Sequence, residues 1–251
     1  MLRKVLLASV LTAMTLAPQL RAEEARALLT TENKFPELGQ LELSYLLDNQ
    51  KYDDLDYRAQ SLIARYGLIE NLTARLQLPY VQREPDFGSD TDGLGDIRLG
   101  FDLKAFEDIF RYPYVIPHAD VIFSTGDEDD GLGSGETGYS FGVSVGTVVY
   151  EVLHYVVDIS YTVDADAKVA GADDMLTGSL SIIWDMSDRF SVMGEARAID
   201  YDNADATSIL AGLGMSYAWT ENFGTTIFVG GWPDAEMGED QNTMVKASYT
   251  F

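Results

Sequence analysis

"GLGDIRLGFDLKAF" runs from Gly93 to Phe106 and alternates with a period of two. Asp96, Arg98, Asp102 and Lys104 share one parity; Ile97, Leu99, Phe101, Leu103 and Ala105 share the other. In an extended strand successive side chains point to opposite faces, so this segment presents one charged and one apolar surface. The Gly-x-Gly-Asp at its start invites a dinucleotide-binding reading. That reading needs a third glycine and a following helix whose N-terminus meets the phosphates. Here a strand follows, and the glycines read as the end of a loop.

The same alternation continues outward in both directions. "LELSYLL" sets Leu41, Leu43, Tyr45 and Leu47 against Glu42 and Ser44, and "HYVVDISYTV" sets Tyr155, Val157, Ile159 and Tyr161 against His154, Asp158 and Ser160. About twelve such strands are predicted, starting near residues 39, 55, 72, 94, 113, 137, 153, 174, 190, 207, 223 and 242. Their connections alternate between short turns, such as "SDR" (187–189) and "TEN" (220–222), and longer acidic, glycine-rich loops, such as "STGDEDDGLGSGET" and "PDAEMGEDQN". An even number of strands of roughly 10 residues with short turns on one side and long loops on the other is the pattern of a membrane β-barrel.

Ahead of the strands, Arg3 and Lys4 precede an apolar run from Val5 to Ala17, and a small residue stands at Ala22. This reads as a signal peptide over 1–22, followed by a periplasmic N-terminal leader over 23–38 and a barrel over 39–251. The run is shorter than the roughly 20 apolar residues of a membrane-spanning helix. The chain contains no cysteine, so no disulfide or thiolate-bound metal is available to it. Losing Arg3, Lys4 and Arg21 takes the formal charge from −24 to −27. Such a chain repels phosphates, which excludes nucleic acid as a partner.

Alternation alone does not separate a lipid-facing barrel from a soluble one, whose apolar side chains point inward. Other features do. The polar parity carries Gly, Ser and full charges, while the apolar parity is nearly free of charge at the strand centres, where a Lys or Arg facing lipid costs roughly 2–4 kcal/mol. Aromatic residues gather at strand ends: Trp184, Phe190, Tyr217, Trp219, Phe223 and Tyr249 near the short turns, and Tyr80, Tyr139, Tyr161, Tyr201 and Trp232 near the long loops. These read as two interfacial girdles. The chain ends "VKASYTF", with Tyr249 and Phe251 on one face, in the manner of a C-terminal membrane-insertion signal. The expected fold is all-β, a closed antiparallel transmembrane barrel of about twelve strands in an up-and-down meander.

Gly93, Gly95 and Asp96, followed by Thr125, Gly126, Gly131, Gly133 and Gly135 in "DVIFSTGDEDDGLGSGETGYSFGVSVG", carry a family resemblance. The pattern resembles the outer-membrane proteins grouped as the meta-pathway phenol-degradation ("MetA pathway") family, with Ser124 where that family usually has Pro. The resemblance implies an outer-membrane barrel of a Gram-negative bacterium that takes up aromatic or other hydrophobic compounds.

By parity the lumen receives Glu42, Arg58, Arg75, Asp96, Arg98, Asp102, Lys104, His118, Asp120, Asp158, Asp185, Glu195, Arg197 and Lys246. Ionisable groups at membrane depth must face water or each other. This set therefore reads either as a salt-bridged filling or as a pore lining that selects by charge. Twelve strands lie between a packed and an open interior, so a narrow lumen is expected. Pro79 and Pro117 fall within strands, where proline removes a ladder donor and marks a discontinuity or a lateral opening. "DEDDG" (127–131) and "SDTDG" (89–93) lack calcium-loop spacing, and no metal or cofactor is expected. With only His118 and His154 as imidazole bases and no recognisable nucleophile setting, no residue receives a catalytic role. The expected function is a narrow channel for small, hydrophobic or aromatic molecules. The alternatives are a non-conducting structural or surface-interaction barrel, and then a barrel hydrolase using His118. Lipid, lipopolysaccharide, the barrel-assembly machinery and a small solute are the expected partners.

Overall fold

The computed structural model describes residues 25–52, 54–108, 113–163, 174–202, 206–231 and 240–251. The proposed signal peptide, Trp232 and much of the loop "PDAEMGEDQN" lie outside these residues. Fourteen strand segments follow one another along the chain. They are β1 (Leu41–Lys51), β2 (Leu55–Ile69), β3 (Leu72–Pro85), β4 (Thr91–Leu94), β5 (Ile97–Leu103), β6 (Phe106–Glu107) and β7 (Tyr114–Phe123). Then come β8 (Gly138–Val149), β9 (Leu153–Val163), β10 (Asp174–Ser187), β11 (Phe190–Tyr201), β12 (Ala206–Ala218), β13 (Phe223–Gly231) and β14 (Gln241–Thr250).

β4, β5 and β6 are pieces of one wall strand: β4 and β5 both pair with β3, and β5 and β6 both pair with β7. The wall therefore has twelve strands, each antiparallel to its sequence neighbours. The ladder between β1 and β14, from Glu42↔Thr250 to Lys51↔Gln241, closes it. In hydrocarbon every backbone N–H and C=O must find a partner, and closure leaves no unpaired edge. The first break in the fourth wall strand has a local cause. Pro79 on β3 has no N–H to donate, and the Gly95 amide reaches its carbonyl at 2.9 Å where the register steps from β4 to β5. A second irregularity at Lys104–Ala105 separates β5 from β6 and reverses the parity of Glu107 relative to Asp102.

Apolar side chains face outward along the wall. Leu62, Phe101, Phe141, Ile159, Leu180, Leu213 and Val229 are all exposed large hydrophobic residues. Tyr217 packs edge-to-face on Trp219 and Tyr249 on Phe251 at the short-turn rim, with centroids 4.8 and 4.7 Å apart. Among the tight turns, Tyr150 and Glu151 both have positive φ (56° and 62°), the mirror-image turn that matches strand twist, and Val152 donates back to the Val149 carbonyl. Tyr201, expected in the loop-side girdle, instead points inward and is buried, because on β11 the odd-numbered residues face the lumen.

Candidate functional site

Residues 25–38, expected from sequence as a leader on the periplasmic side, run inside the barrel at its short-turn end. The segment folds on one carboxylate. Glu32 accepts from the backbone amides of Arg26 and Ala27, the latter at 2.8 Å, and pairs with the Arg26 guanidinium at 3.1 Å. Burial alone would push the Glu32 carboxyl up. The Arg26 charge, the two amides and Lys34 outweigh it and hold it at about 2 instead of 4.5.

The wall then holds the segment. Arg26 also pairs with Asp185 on β10 and donates to Ser191 on β11 at 3.1 Å. The amides of Leu28 and Leu29 both donate to Glu195 on β11 at 3.1 Å, and Thr30 bonds Ser181 at 2.8 Å. Lys246 on β14 donates to the Ala25 carbonyl, Asn33 donates to Glu107 at 2.6 Å, and Arg65 on β2 donates to the Lys34 carbonyl at 2.8 Å. Where the segment leaves the lumen, Gly39 donates to the Gly67 carbonyl at 2.8 Å and Gly67 to that of Gln40 at 3.1 Å. A Cβ on Gly67 would collide with the Glu37 and Pro36 carbonyls, so only glycine lets the chain pass this closely.

Apolar contacts add to this hold. Ala27 clusters with Ile183 and Met193, and Leu28 and Leu29 pack on Leu210, Phe228 and Met244. Phe35 packs on Tyr114, Ile116 and Val156, with the Lys104 ammonium 5.4 Å from its ring centre. Each such side chain removed from water contributes about 1.5–3 kcal/mol before ordering costs.

The predicted lumenal residues fall into groups. Asp185, Glu195, Lys246 and Lys104 contact the segment, as described. Glu42 pairs with Arg65 at 3.2 Å, a partner the sequence reading did not include. Arg75 pairs with Asp120 at 2.8 Å and stands 3.7 Å from the buried Asp102. His118 bonds Asp158 at 3.0 Å, and its ring lies against Gly142, where a Cβ would not fit. Ser144 donates to the same Asp158 carboxylate. The acid thus stands between hydroxyl and imidazole, which is not the order that activates a serine nucleophile.

Two expected lumenal residues lie elsewhere. Arg58 is on the outward face near the loop end of β2, exposed and donating to Asn49 at 2.8 Å; the register of Arg65 opposite Glu42 puts the odd-numbered residues of β2 inside. Asp96 sits in the break between β4 and β5 and anchors the loop above, accepting from the amides of Gly126 at 2.9 Å and Ser134 at 2.7 Å. Of the two prolines, Pro79 shares the inward parity and Pro117 faces outward, in register with Val143 on β8.

Above the segment lies a cavity of about 360 Å³ whose floor is Leu28, Leu29, Thr30 and Thr31. Arg75, Arg98, Arg197, His118, Asp120 and Asp158 project into it, three guanidinium groups against two carboxylates. Seryl and threonyl hydroxyls from β8 to β12, with Tyr52 and Tyr201, supply most of the remaining lining.

No family model matches the chain, and no curated protein matches it. Its structure is similar to the COG4313 outer membrane channel from Pseudomonas putida F1, at 14% identity and a TM-score of 0.73 over 91% of this chain and 100% of that one. It is also similar to the NanC porin (10%, 0.59, over 83% of this chain and 98% of that one). A third likeness is to the KdgM porin in complex with disordered oligogalacturonate (11%, 0.57, over 84% and 99%). The chain has the fold of outer-membrane β-barrels, and these three are channels and porins rather than enzymes.

The lumenal docking of residues 25–38 has a signal in the sequence that strict alternation hides. Apolar doublets interrupt the period: Val115–Ile116, Val156–Val157, Ile182–Ile183, Val192–Met193, Ile209–Leu210, Ile227–Phe228 and Met244–Val245. One member of each faces lipid; the other faces the lumen and is buried against the segment or its neighbours. An apolar residue on the wet face of a barrel strand needs a cover.

Proposed function

We propose that this chain is a channel of the Gram-negative outer membrane whose path is the barrel lumen and whose closed state is held by residues 25–38. The observation that carries the reading is the stacking of a polar cavity directly on a self-folded segment that seals the short-turn end. The route is axial: the ladder is hydrogen-bonded at Pro79 and in register at Pro117, which favours passage along the lumen over exit through the wall. The resemblance to the meta-pathway family favours hydrophobic or aromatic solutes. The lining of hydroxyls and guanidinium groups favours polar ones, since burying an apolar solute against them strands their hydrogen bonds. Lipid and lipopolysaccharide surround the outward apolar face, and Tyr249 and Phe251 serve as the insertion signal read by the assembly machinery.

Planar-bilayer recording tests the reading. The native chain is expected to conduct rarely, and a chain with Arg26→Ala and Glu32→Ala to conduct with a larger open fraction. The number of wall contacts that hold the segment favours a second reading, a non-conducting structural barrel. Silence from both chains in membranes where they are inserted supports that alternative.

A further inference from the structure

The cavity above the segment joins guanidinium groups to a row of hydroxyls. Arg75 and Arg98 project from β3 and β5, with Gln77 beside them. Around the rest of the wall, from β8 to β12, run Ser140, Thr162, Ser160, Thr177, Ser179 and Ser208, with Arg197 on β11 opposite Ser179. Ser160 stands opposite Thr177 in the β9–β10 ladder, and Thr162 donates to Ser140 at 2.9 Å. The cavity's acids are engaged within the wall: Asp120 by Arg75, Asp158 by His118 and Ser144. Arg98 has no hydrogen-bond or ionic partner among the described residues, although it is only half-exposed. A guanidinium that lines a polar cavity while the nearby acids are held by other groups is the arrangement that receives a carboxylate from outside.

The hydroxyl row narrows the class further. A bare anion would use only the guanidinium groups, and an aromatic carboxylate would leave hydroxyls such as those of Ser160 and Thr177 without a solute partner. A volume of about 360 Å³ accommodates one sugar-sized unit. Acidic stretches such as "DEDDG" repel highly charged anions, which favours a solute of low negative charge. We propose that this cavity is a binding site for a small hydroxylated monocarboxylate, a sugar acid in chemical class. Arg98 takes the carboxylate and the Ser160–Thr177 row takes the ring hydroxyls. The proposal rests on the channel reading and names the solute class of the same lumen.

The probes are D-glucuronate, D-glucose, which has the hydroxyls without the carboxylate, and benzoate, which has the carboxylate without the hydroxyls. Binding to the full chain in detergent is measured by calorimetry, and block of chloride current in planar bilayers is measured separately. Glucuronate is expected to bind at least tenfold more tightly than either other probe. Arg98→Gln is expected to weaken glucuronate at least tenfold. The pair Ser160→Ala with Thr177→Val is expected to weaken glucuronate severalfold and leave benzoate unchanged. Heat-modifiable gel mobility verifies that each variant is a folded barrel. Benzoate or glucose binding as tightly as glucuronate overturns the proposal, as does an undiminished affinity in folded Arg98→Gln. Conductance without a preference for glucuronate sinks the site and spares the channel. Tight glucuronate binding without any conductance does the reverse.

Discussion

Arg26 and Asp185 stand 159 residues apart in the chain and form an ion pair inside the barrel, tying the lumenal segment to β10. Asp185 also accepts from Ser191 at 2.7 Å and from His154 at 2.8 Å, so one carboxylate joins the segment to three wall strands. Replacing Arg26 with Ala, Asp185 with Asn, and both together should give a coupling energy of about 0.5–3 kcal/mol in the closed-to-open equilibrium. The double-mutant cycle is read from open probability in single-channel records. Additive effects would mean that the pair does not hold the closed state.

Glu32 makes the seal sensitive to acid. Its carboxyl is depressed to about 2 when docked and returns toward 4.5 when the segment is free. A depressed carboxyl contributes docking stability that is complete above about pH 4.5 and is lost as the pH falls toward 2. The difference amounts to about 3 kcal/mol. Open probability should therefore rise between pH 4.5 and 3, and Glu32→Gln should raise it at neutral pH while flattening that acid-dependent rise. An unchanged acid response in Glu32→Gln would assign the effect to other carboxylates.

Gly67→Val should displace the segment without disturbing the wall. The new side chain meets the Glu37 and Pro36 carbonyls, not a neighbouring strand. Trypsin sites at Arg26 and Lys34 are sheltered in the native lumen and should be cut faster in the variant, while heat-modifiable mobility stays the same. Equal cutting rates would place the hold on the segment entirely at the Arg26–Glu32 end.

Arg75 balances two acids, one of them the buried Asp102. Arg75→Ala leaves both uncompensated and should cost about 3–5 kcal/mol of barrel stability. Arg75→Lys should restore only part, because the ammonium differs in reach and donor geometry from the guanidinium whose Nη2 contacts both acids. The midpoint of the heat-induced mobility shift measures both.

Leu213 lies at the centre of β12, faces outward and is 75% exposed. Leu213→Arg should cost about 2–4 kcal/mol and lower assembly into membranes. Thr177→Arg, one face away inside the lumen, should assemble normally. The comparison, scored by membrane yield, reads the orientation of the wall directly.

Much of this architecture is legible in the sequence, because a period of two names both faces of each strand at once. The predicted start near residue 55 is where β2 begins, and those near 72, 153, 174, 190 and 223 are equally close. The reading fails where the period is not the governing rule. Arg58 shares the outward parity of Leu62 and lies near the loop end of its strand, so a full charge is not by itself a mark of the lumen there. Asp96 occupies the break opposite Pro79, where the register steps and its carboxylate turns up to the loop. Tyr201 looks like a girdle aromatic by position and is lumenal by register. The docking of residues 25–38 depends on contacts between distant parts of the chain, such as Leu28 with Phe228, which no local pattern encodes. The apolar doublets mark where something must cover the wall, but not what covers it.

Residues 25–38 run through Gly39 and Gln40, which bind Gly67 at the foot of the wall, directly into β1. That covalent continuity keeps the segment leashed when it leaves its seat, so re-docking is a unimolecular event. A short leash of this kind sustains a local concentration of the order of millimolar, whatever the abundance of the protein. A detached peptide of the same sequence would need comparable amounts in free solution to compete for the seat. The barrel carries its own stopper at constant dose.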